Sequence, residues 1–464
     1  MRRILMAVVL TGTLPLLALA DASESSRRVE EKKREILDEA PSRLLRTVDS
    51  FSLETGGWIN YRYSDYKNSD NDKSEEDALR NSSWGDLRLW GRLVYQTPEM
   101  AQEKRRHFLY LRFKDVYIRN RGDDPGEKYD NRGPSVNYAY GSFDWDAWKL
   151  EAGRRYFNIG RGIAFSGVFD GVQVNYQQPG WNIGLLAAQT KPHDDNIDTS
   201  VPGYDKGAAR SFAGLGLGYA GIPDHQIYGY ALVERDHSRE RPEDFAQDYG
   251  YDAVFYGAGS KGQWGKRWPY WLEVIQETGT SREDGTNAKS DVKAWAVSAE
   301  QRFLTLWRSG LTFSGEYAMG SGDPDRAYVT NTVGGNAAGH DRNFMYFGYL
   351  PTGVALSPLL SNLRLARVGV DLYPFFAVPA LRKVLLGLDY YRYWKDRPEG
   401  GISDYDATET SREVGQEVDV RIDWRLGPRV ILSVEGGCFM PGAAYPDTAR
   451  AREQAASISL SYIF

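Results

Sequence analysis

The sequence contains very little cysteine and histidine. Its 464 residues include one cysteine, Cys438, and five histidines. A single cysteine excludes an intramolecular disulfide as a support for the fold. The histidines are scattered and do not recur at the spacing of metal ligands, so the sequence supports neither a metal site nor another cofactor.

Long hydrophobic runs are absent after residue 20, so no later segment is long and apolar enough for a transmembrane helix. The apolar run 4–19 follows the basic start Met1-Arg2-Arg3 and ends within the small-residue pattern Ala18-Leu19-Ala20. A basic start, a short apolar run and small residues before the cleavage point are typical of a secretory signal peptide. We therefore predict a signal peptide over residues 1–20.

A surplus of basic residues is also missing. Without Arg2 and Arg3 the basic count falls from 57 to 55 against 63 acidic residues, so the mature chain has a formal net charge of −8. This balance disfavours a nucleic-acid partner. Residues 21–49 carry many charges of both signs and too few apolar positions for a core helix. We predict that they form a solvated periplasmic leader; a short helix that docks at the periplasmic mouth or on a partner is the alternative.

Glycine and aromatic residues are abundant, with 48 glycines, 30 tyrosines and an aromatic fraction of 13%. A soluble all-β protein and an outer-membrane barrel both fit this composition, because such barrels carry aromatic girdles and a polar lumen face. The last residues favour the barrel, since serines alternate there with an apolar face formed by Ala456, Ile458, Leu460, Tyr462 and Phe464. A strand that ends on phenylalanine resembles the closing strand of bacterial outer-membrane barrels, although a soluble edge strand can alternate in the same way.

Alternation of apolar and polar residues predicts about eighteen strands within residues 50–464. The predicted strands cover 51–64, 84–95, 107–118, 136–143, 148–156, 168–176, 181–189, 211–219, 225–234, 250–258, 268–277, 291–302, 309–319, 363–373, 383–394, 413–425, 429–439 and 453–464. Connections after the odd-numbered strands are mostly long and polar, and those after the even-numbered strands are mostly short. The long ones are 65–83, 119–135, 157–167, 190–210, 235–249, 278–290, 320–362, 395–412 and 440–452.

This parity is required of a transmembrane barrel that has long extracellular loops, short periplasmic turns and both termini inside, whereas a sandwich has no reason to keep it. In lipid every backbone group must be paired within the protein, which a closed barrel of strands achieves. We therefore predict an all-β fold, a transmembrane antiparallel β-barrel in the bacterial outer membrane. At about 18 strands the interior is wider than side chains can fill, so an aqueous channel is expected.

The polar faces of the predicted strands are expected to line this channel. The charged residues that alternation places inside are Arg88, Arg92, Arg112, Lys114, Arg367, Glu417, Asp419, Arg421 and Arg425. One interpretation is a salt-bridge lattice that stiffens a wide barrel, and the other is a selectivity surface, since rings of arginine and lysine favour anions. The aromatic residues placed inside are Trp58, Trp90, Tyr391 and Tyr393, for which simple packing and stacking on sugar rings are the two interpretations.

The stretch Leu150–Tyr176 joins two alternating strands through an arginine-rich connection that contains Arg161. Alternation places Arg155 inside, whereas Arg154 and Asp170 share the parity of lipid-facing positions. An arginine near the membrane midplane costs roughly 2–4 kcal/mol. The two residues therefore either lie at the extracellular rim or are turned inward by a β-bulge.

Five short motifs resemble those of the alginate export family of outer-membrane porins. They are Gly153-Arg154, Phe169-Asp170-Gly171-Val172, Ser321-Gly322-Asp323, Val414–Val420 and Phe439–Tyr445, and they follow the same order along most of the mature chain. The resemblance implies a monomeric barrel with an arginine-rich constriction that passes a linear anionic exopolysaccharide outward and works with a periplasmic scaffold. It also implies that Arg154 and Asp170 are constriction residues, and therefore that a bulge turns this pair inward.

The function predicted from these features is passive export of alginate or a similar anionic polysaccharide across the outer membrane. An uptake porin for small acids or oligosaccharides is the first alternative, and a structural or adhesive barrel that acts through its loops is the second. No Ser/His/Asp arrangement can be assembled from the pattern, so an enzyme is not predicted. The aromatic run Phe344–Phe347 in the longest connection suggests a lid at the channel mouth, and Asp70–Ser74 is interpreted as a solvated loop because it lacks the glycine and spacing of a calcium loop.

Overall fold

The computed structural model describes residues 43–69, 79–103, 105–122, 133–192, 194, 207–238, 250–284, 286, 288–327, 329 and 335–464, with side chains from residue 47 onward. The predicted signal peptide, residues 21–42 of the predicted leader and the Asp70–Ser74 loop lie outside the described residues. Among the described residues, no helix is long and apolar enough to cross a membrane.

The described part of the chain contains nineteen strands, one short helix and one 3-10 turn. The strands are β1 Arg43–Val48, β2 Phe51–Lys67, β3 Asn81–Tyr95, β4 His107–Arg121, β5 Ser135–Trp145, β6 Trp148–Ile159, β7 Phe165–Gln178, β8 Trp181–Gln189, β9 Arg210–Ile222, β10 His225–Asp236, β11 Asp252–Trp264, β12 Trp268–Arg282, β13 Lys289–Leu304, β14 Thr312–Gly320, β15 Leu363–Leu372, β16 Val384–Lys395, β17 Glu413–Arg425, β18 Val430–Pro441 and β19 Glu453–Ile463. Helix α1 spans Pro98–Gln102, and the 3-10 turn spans Asp447–Ala449.

Strands β2 to β19 form a closed antiparallel barrel of 18 strands. Each strand pairs with the next one along the chain, and β19 returns to β2 with Leu460 opposite Tyr61. Closure leaves every strand of the barrel paired on both sides, which removes the exposed edges of an open sheet. The predicted fold class is therefore confirmed, and each predicted strand overlaps one of β2 to β19.

Strand β1 lies within the segment that was predicted to be a solvated leader. It pairs with the first residues of β2, from Val48 opposite Phe51 to Arg43 opposite Thr55. Strand β19 does not reach this part of β2. Its pairing with β2 stops where Phe464 lies beside Gly57, and the backbones of these two residues exchange hydrogen bonds of 2.9 and 3.0 Å. Strand β1 thus takes over the edge of β2 where β19 ends.

The outward face of the barrel is apolar. Leucines of β3 and β4 such as Leu89 (46% exposed) and Leu109 (55% exposed) point away from the interior. Val420 of β17 and Leu460 of β19 do so as well. An exposed apolar surface of this extent marks contact with lipid. Exposed tryptophans at the short turns form a girdle, namely Trp145, Trp148, Trp181, Trp264 and Trp268. The barrel therefore spans a membrane, and the short turns mark its periplasmic end.

Two of the predicted long connections are shorter than expected. The predicted loops 157–167 and 278–290 are reduced to residues 160–164 and 283–288, because β6, β7, β12 and β13 continue their hydrogen-bonded ladders beyond the apolar belt. Apolar alternation ends where the lipid ends, whereas strand pairing continues above it. Sequence alternation therefore underestimates strand length at the extracellular end.

Loop 160–164 and the described part of loop 321–362 both fold into the barrel. The two loops are hydrogen-bonded to each other, from Phe347 N to the carbonyl of Ala164 at 2.9 Å and from Tyr349 N to the carbonyl of Gly162 at 2.9 Å. Phe347 also packs on Phe212 of β9, with ring centroids 5.3 Å apart. The main hydrophobic cluster of this protein consequently lies inside the barrel, between the inward loops and the strands.

Candidate functional site

Buried glutamates hold the inward loops in place. Glu417 on β17 is fully buried, and its carboxylate accepts hydrogen bonds from the backbone N–H groups of Val354 (2.6 Å), Ala355 (2.7 Å) and Leu356 (3.1 Å). Three backbone donors compensate the desolvation of a buried carboxylate. Glu417 therefore faces the interior as predicted, but loop 321–362 covers it.

Two glutamates of β12 act in the same way. Glu273 accepts a hydrogen bond of 2.6 Å from the backbone N–H of Arg161, and Glu277 accepts one of 3.0 Å from that of Met345. Sequence reasoning missed both residues. The signal was present, because Glu273 and Glu277 alternate with the exposed residues Leu272, Val274 and Gln276.

Arg161 crosses the interior from loop 160–164 to the opposite strands. Its guanidinium pairs with Glu300 of β13 at 2.8 Å and with Glu316 of β14 at 2.7 Å. Arg367 of β15 joins the same group, 3.1 Å from Glu316 and 3.2 Å from Asp389. These contacts form a carboxylate-rich network around two arginines, so here the salt-bridge interpretation fits the geometry.

The inward faces of β2 to β5 carry a second, basic group. Arg88 pairs with Asp86 at 2.9 Å, and Arg112 donates a 2.7 Å hydrogen bond to Asn137. The guanidinium of Arg112 lies 3.8 Å from the ring centroid of Tyr138 and 5.0 Å from that of Trp58. Asn137 is placed inward by a β-bulge in the pairing of β4 with β5, a feature that alternation alone does not predict.

The remaining predicted residues lie on inward-facing positions of the same barrel. Arg92 binds Glu54 through Nε at 2.8 Å, and Arg155 pairs with Glu151 and donates to Gln173 at 3.1 Å. Lys114 shares the inward face of β4. On β17, Asp419 is buried and Arg425 is exposed near the periplasmic end, while Arg421 pairs with Asp371 at 2.8 Å.

Arg154 and Asp170 form a pair, but they face outward. The guanidinium binds the carboxylate through two hydrogen bonds of 2.7 and 2.8 Å. Pairing of β6 with β7 runs without a shift in register, and Arg155 and Phe157 face the interior, so Arg154 points to the other side. The prediction of an inward pair is therefore wrong, since the expected bulge is absent from this ladder.

The position of this pair explains how two charges are accommodated on the outer face. Asp170 lies opposite Gln189, the last residue of β8, so the pair lies close to the extracellular rim of that strand. Bidentate pairing neutralises both side chains. The preceding Gly153 has φ of +120°, and a Cβ there would lie 2.2 Å from the carbonyl oxygen of Ala139, so the motif requires glycine at this position.

Aromatic residues that were predicted to face inward do so. Trp58 and Tyr393 are buried to 2% and 0% exposure, and Tyr391 to 4%. The Tyr393 hydroxyl lies 2.6 Å from the carbonyl oxygen of Thr352 and 3.0 Å from the Glu417 carboxylate, within hydrogen-bond distance of both, so it packs against loop 321–362. Within the described ranges, no group of three or more His, Cys, Asp or Glu side chains is placed to hold a metal ion.

The fold resembles several solved structures. The chain is similar to Pseudomonas aeruginosa OccK8 (OprE), at 10% identity and a TM-score of 0.57 over 89% of this chain and 98% of that one. It is also similar to Acinetobacter baumannii OccAB4, at 10% identity and a TM-score of 0.54 over 90% and 99%. Pseudomonas aeruginosa OccK11 (OpdR) matches at 12% identity and a TM-score of 0.51 over 91% and 99%. At these identities the likeness concerns the fold.

A comparison of sequences identifies the family. No curated protein matches the chain. The sequence model of the family described as "Alginate export", however, matches residues 110–458, which include most of β4 to β19 and all six of the inward-loop anchors and network acids described above on β12 to β17. Together with the membrane-spanning barrel, this match places the protein in the bacterial outer membrane as a channel-type barrel. The chain belongs to the alginate export family.

Proposed function

We propose that the barrel exports a linear anionic polysaccharide, alginate or a similar polymer, by passive diffusion. The observation that carries this proposal is the arginine-rich wall formed by the inward faces of β2 to β6, with Arg88, Arg92, Arg112 and Arg155. Guanidinium groups bind carboxylates through paired, charge-assisted hydrogen bonds, and a polyuronate carries one carboxylate on each sugar. Family membership supports the same substrate class.

The pairing of these arginines suits transport. Arg92 and Arg155 each have a carboxylate partner within the wall and keep 21% and 19% side-chain exposure, so a carboxylate of the polymer competes with an existing ion pair there. Arg88 and Arg112 are buried at 5% and 2% exposure and contribute to the charge of the wall. Solvated ion pairs contribute only about 0–1 kcal/mol each. Weak and repeated contacts allow a chain to move from one site to the next without being trapped.

The inward loops favour a second candidate. Loops 160–164 and 321–362 occupy interior space on the side of β7 to β18, and a narrowed passage suits small acids or oligosaccharides that are taken up. Under the export proposal, loop 321–362 has to shift before a polymer passes. A periplasmic scaffold as partner and a monomeric barrel are part of the export proposal.

Planar bilayer recordings test the proposal. We expect anion selectivity in potassium chloride and block of the current by oligouronates at concentrations at which a neutral oligosaccharide of equal length has a smaller effect. A cation-selective pore that oligouronates do not block would contradict export of a polyuronate. To separate export from uptake, the gene is deleted and secreted polymer is measured; unchanged secretion together with slower growth on small acids would favour the uptake porin.

A further inference from the structure

Three aromatic rings lie side by side on the inward faces of β3, β4 and β5. The ring centroids of Trp90 and Tyr110 are 5.8 Å apart with an interplanar angle of 28°, and those of Tyr110 and Tyr140 are 5.5 Å apart at 50°. Phe108 adds an edge contact to Tyr140 at 5.7 Å. The three rings thus form a continuous aromatic surface across three neighbouring strands, which we call the ring platform.

The ring platform lies in the periplasmic half of the barrel. Tyr110 is close to the start of β4 at His107, and it pairs directly with Tyr140 of β5 and with Arg92 of β3. At this end β5 and β6 are joined by the short turn 146–147, and β3 and β4 by the longer connection 96–106 that contains α1. Molecules that enter from the periplasm therefore meet the platform before they reach the inward loops.

The described parts of the inward loops leave the platform partly exposed. Trp90, Tyr110 and Tyr140 are each partly exposed, whereas Trp58 and Tyr393 elsewhere on the inner surface are almost fully buried. The described contacts of loop 321–362 fall on β7, β9, β11, β12, β13, β16 and β17. These strands lie away from β3, β4 and β5, so the described part of this loop does not cover the rings.

An arginine lies at each side of the platform. The guanidinium carbon of Arg92 is 5.8 Å from the ring centroid of Trp90, and that of Arg155 is 5.8 Å from the ring centroid of Tyr140. Their side chains retain 21% and 19% exposure. Glu54 binds Arg92 through the Nε and Nη2 edge, and a guanidinium has five N–H donors, so a second carboxylate can bind at Nη1.

We propose that the ring platform with Arg92 and Arg155 is a binding site for successive hexuronate residues of the exported polymer at the periplasmic mouth. The electron-rich faces of the rings attract the polarised C–H groups of pyranose faces, and the flanking guanidinium groups bind the carboxylates. This inference rests on the proposed function and adds where the polymer first binds and by which chemistry.

The test measures block of single channels by a uronate hexamer added to the periplasmic side. In the double variant Trp90→Ala, Tyr140→Ala, we expect the half-blocking concentration to rise at least about tenfold, since each stacking contact that is lost weakens binding several-fold. The matched control Trp90→Phe, Tyr140→Phe keeps two rings in place. Its half-blocking concentration is expected to stay within about threefold of the wild-type value. Heat-dependent electrophoretic mobility of both variants verifies that the barrels fold.

The outcomes separate this inference from the proposed function. If the wild-type channel is not blocked by the hexamer from either side, the export proposal fails. If wild type is blocked and the alanine and phenylalanine variants are blocked equally well, export stands and the ring platform is ruled out as a binding site. A second variant, Arg92→Gln with Arg155→Gln, is expected to lose the preference for the uronate hexamer over a neutral hexamer; an unchanged preference would also overturn the assignment.

Discussion

The carboxylates inside this barrel have different roles, which depend on the groups that they contact. Glu417 and Glu277 bind backbone N–H groups of loop 321–362, whereas Glu316 pairs with arginines. Alternation along a strand shows only that such a residue faces inward. Whether an acid anchors a loop depends on how a segment that is distant in sequence packs against it. Strand alternation does not show this packing.

Replacing Glu417 tests its role as a loop anchor. We expect Glu417→Gln to weaken docking of loop 321–362 by about 1–3 kcal/mol, because the amide presents one acceptor oxygen and no charge to three backbone donors. In bilayers this should appear as more frequent and larger openings. Glu435→Gln is the matched control: Glu435 lies on the neighbouring strand β18, 4.0 Å from Arg62 of β2, and within the described residues its carboxylate is not among the groups that bind loop 321–362. This variant should gate like wild type, and identical gating of both variants would contradict the anchor role.

The outward placement of Arg154 and Asp170 also has a measurable consequence. Arg154→Leu alone leaves the Asp170 carboxylate without its bidentate partner, so we expect a loss of roughly 2–4 kcal/mol in the free energy of unfolding. The double variant Arg154→Leu, Asp170→Val should recover most of the lost free energy of unfolding, because two apolar side chains are favourable on the outer face of the barrel. Urea titration in liposomes measures both.

The same pair gives a control at the level of conduction. Because neither side chain faces the interior, ion selectivity of the double variant should equal that of wild type. A change in reversal potential would show that the pair lines the passage after all. The sequence pattern already placed Arg154 and Asp170 on the outer parity; the inward prediction came from the family resemblance, which outweighed the alternation.

Among the elements, strands were predictable and loops were not. The membrane imposes alternation on each strand, so the pattern revealed every strand of the barrel. Loop 160–164 was expected to be an exposed connection, yet Ile163 and Ala164 are fully buried. Its inward fold depends on contacts with Glu273 and with loop 321–362, which are remote in sequence.

Acid conditions should stabilise one end of loop 321–362. Burial, and then the neighbouring Asp325 carboxyl, raise the pKa of Asp323 to about 6. Since this lies above the ordinary value of about 3.9, the contribution of Asp323 to stability is complete below about pH 4 and is lost as the pH rises through about 6. We expect fewer channel openings at pH 5 than at pH 7.5.

Asp323→Asn provides the control for this pH dependence. The amide cannot titrate, while its oxygen can still accept the 2.8 Å hydrogen bond from the backbone N–H of Arg342. The difference in opening frequency between pH 5 and pH 7.5 should therefore become smaller in this variant. If the variant keeps the full pH dependence, another group is responsible.

For the whole molecule, the balance of acidic and basic side chains differs from one side of the barrel to the other. The acids that anchor or neutralise the inward loops belong to β12 to β17, and the arginines beside the ring platform belong to β3 and β6. The predicted mixture of charges inside the barrel is present. The uneven distribution of acids and arginines around the barrel could not be predicted, because the sequence does not show on which side the loops fold.

Pairing of β2 along its whole length depends on β1 as well as on β19. A variant that lacks residues 21–42 retains β1, whereas one that lacks 21–48 exposes the edge of β2 from Phe51 to Thr55. We expect the second variant to refold with lower yield and to form dimers in detergent, because an unpaired strand edge associates with other edges. Size-exclusion chromatography compares the oligomeric state of the two variants. An equal oligomeric state would show that β1 is dispensable.

The meeting of β1 and β19 on β2 has a further consequence for the path of the chain. Both strands run antiparallel to β2 in the same direction, with Phe464 beside Gly57 and Arg43 beside Thr55. In space they are two consecutive pieces of one strand, interrupted opposite Gly56. A peptide link of one or two residues from Phe464 to Arg43 would make this path circular, so a permuted gene that begins in an extracellular loop should encode the same barrel.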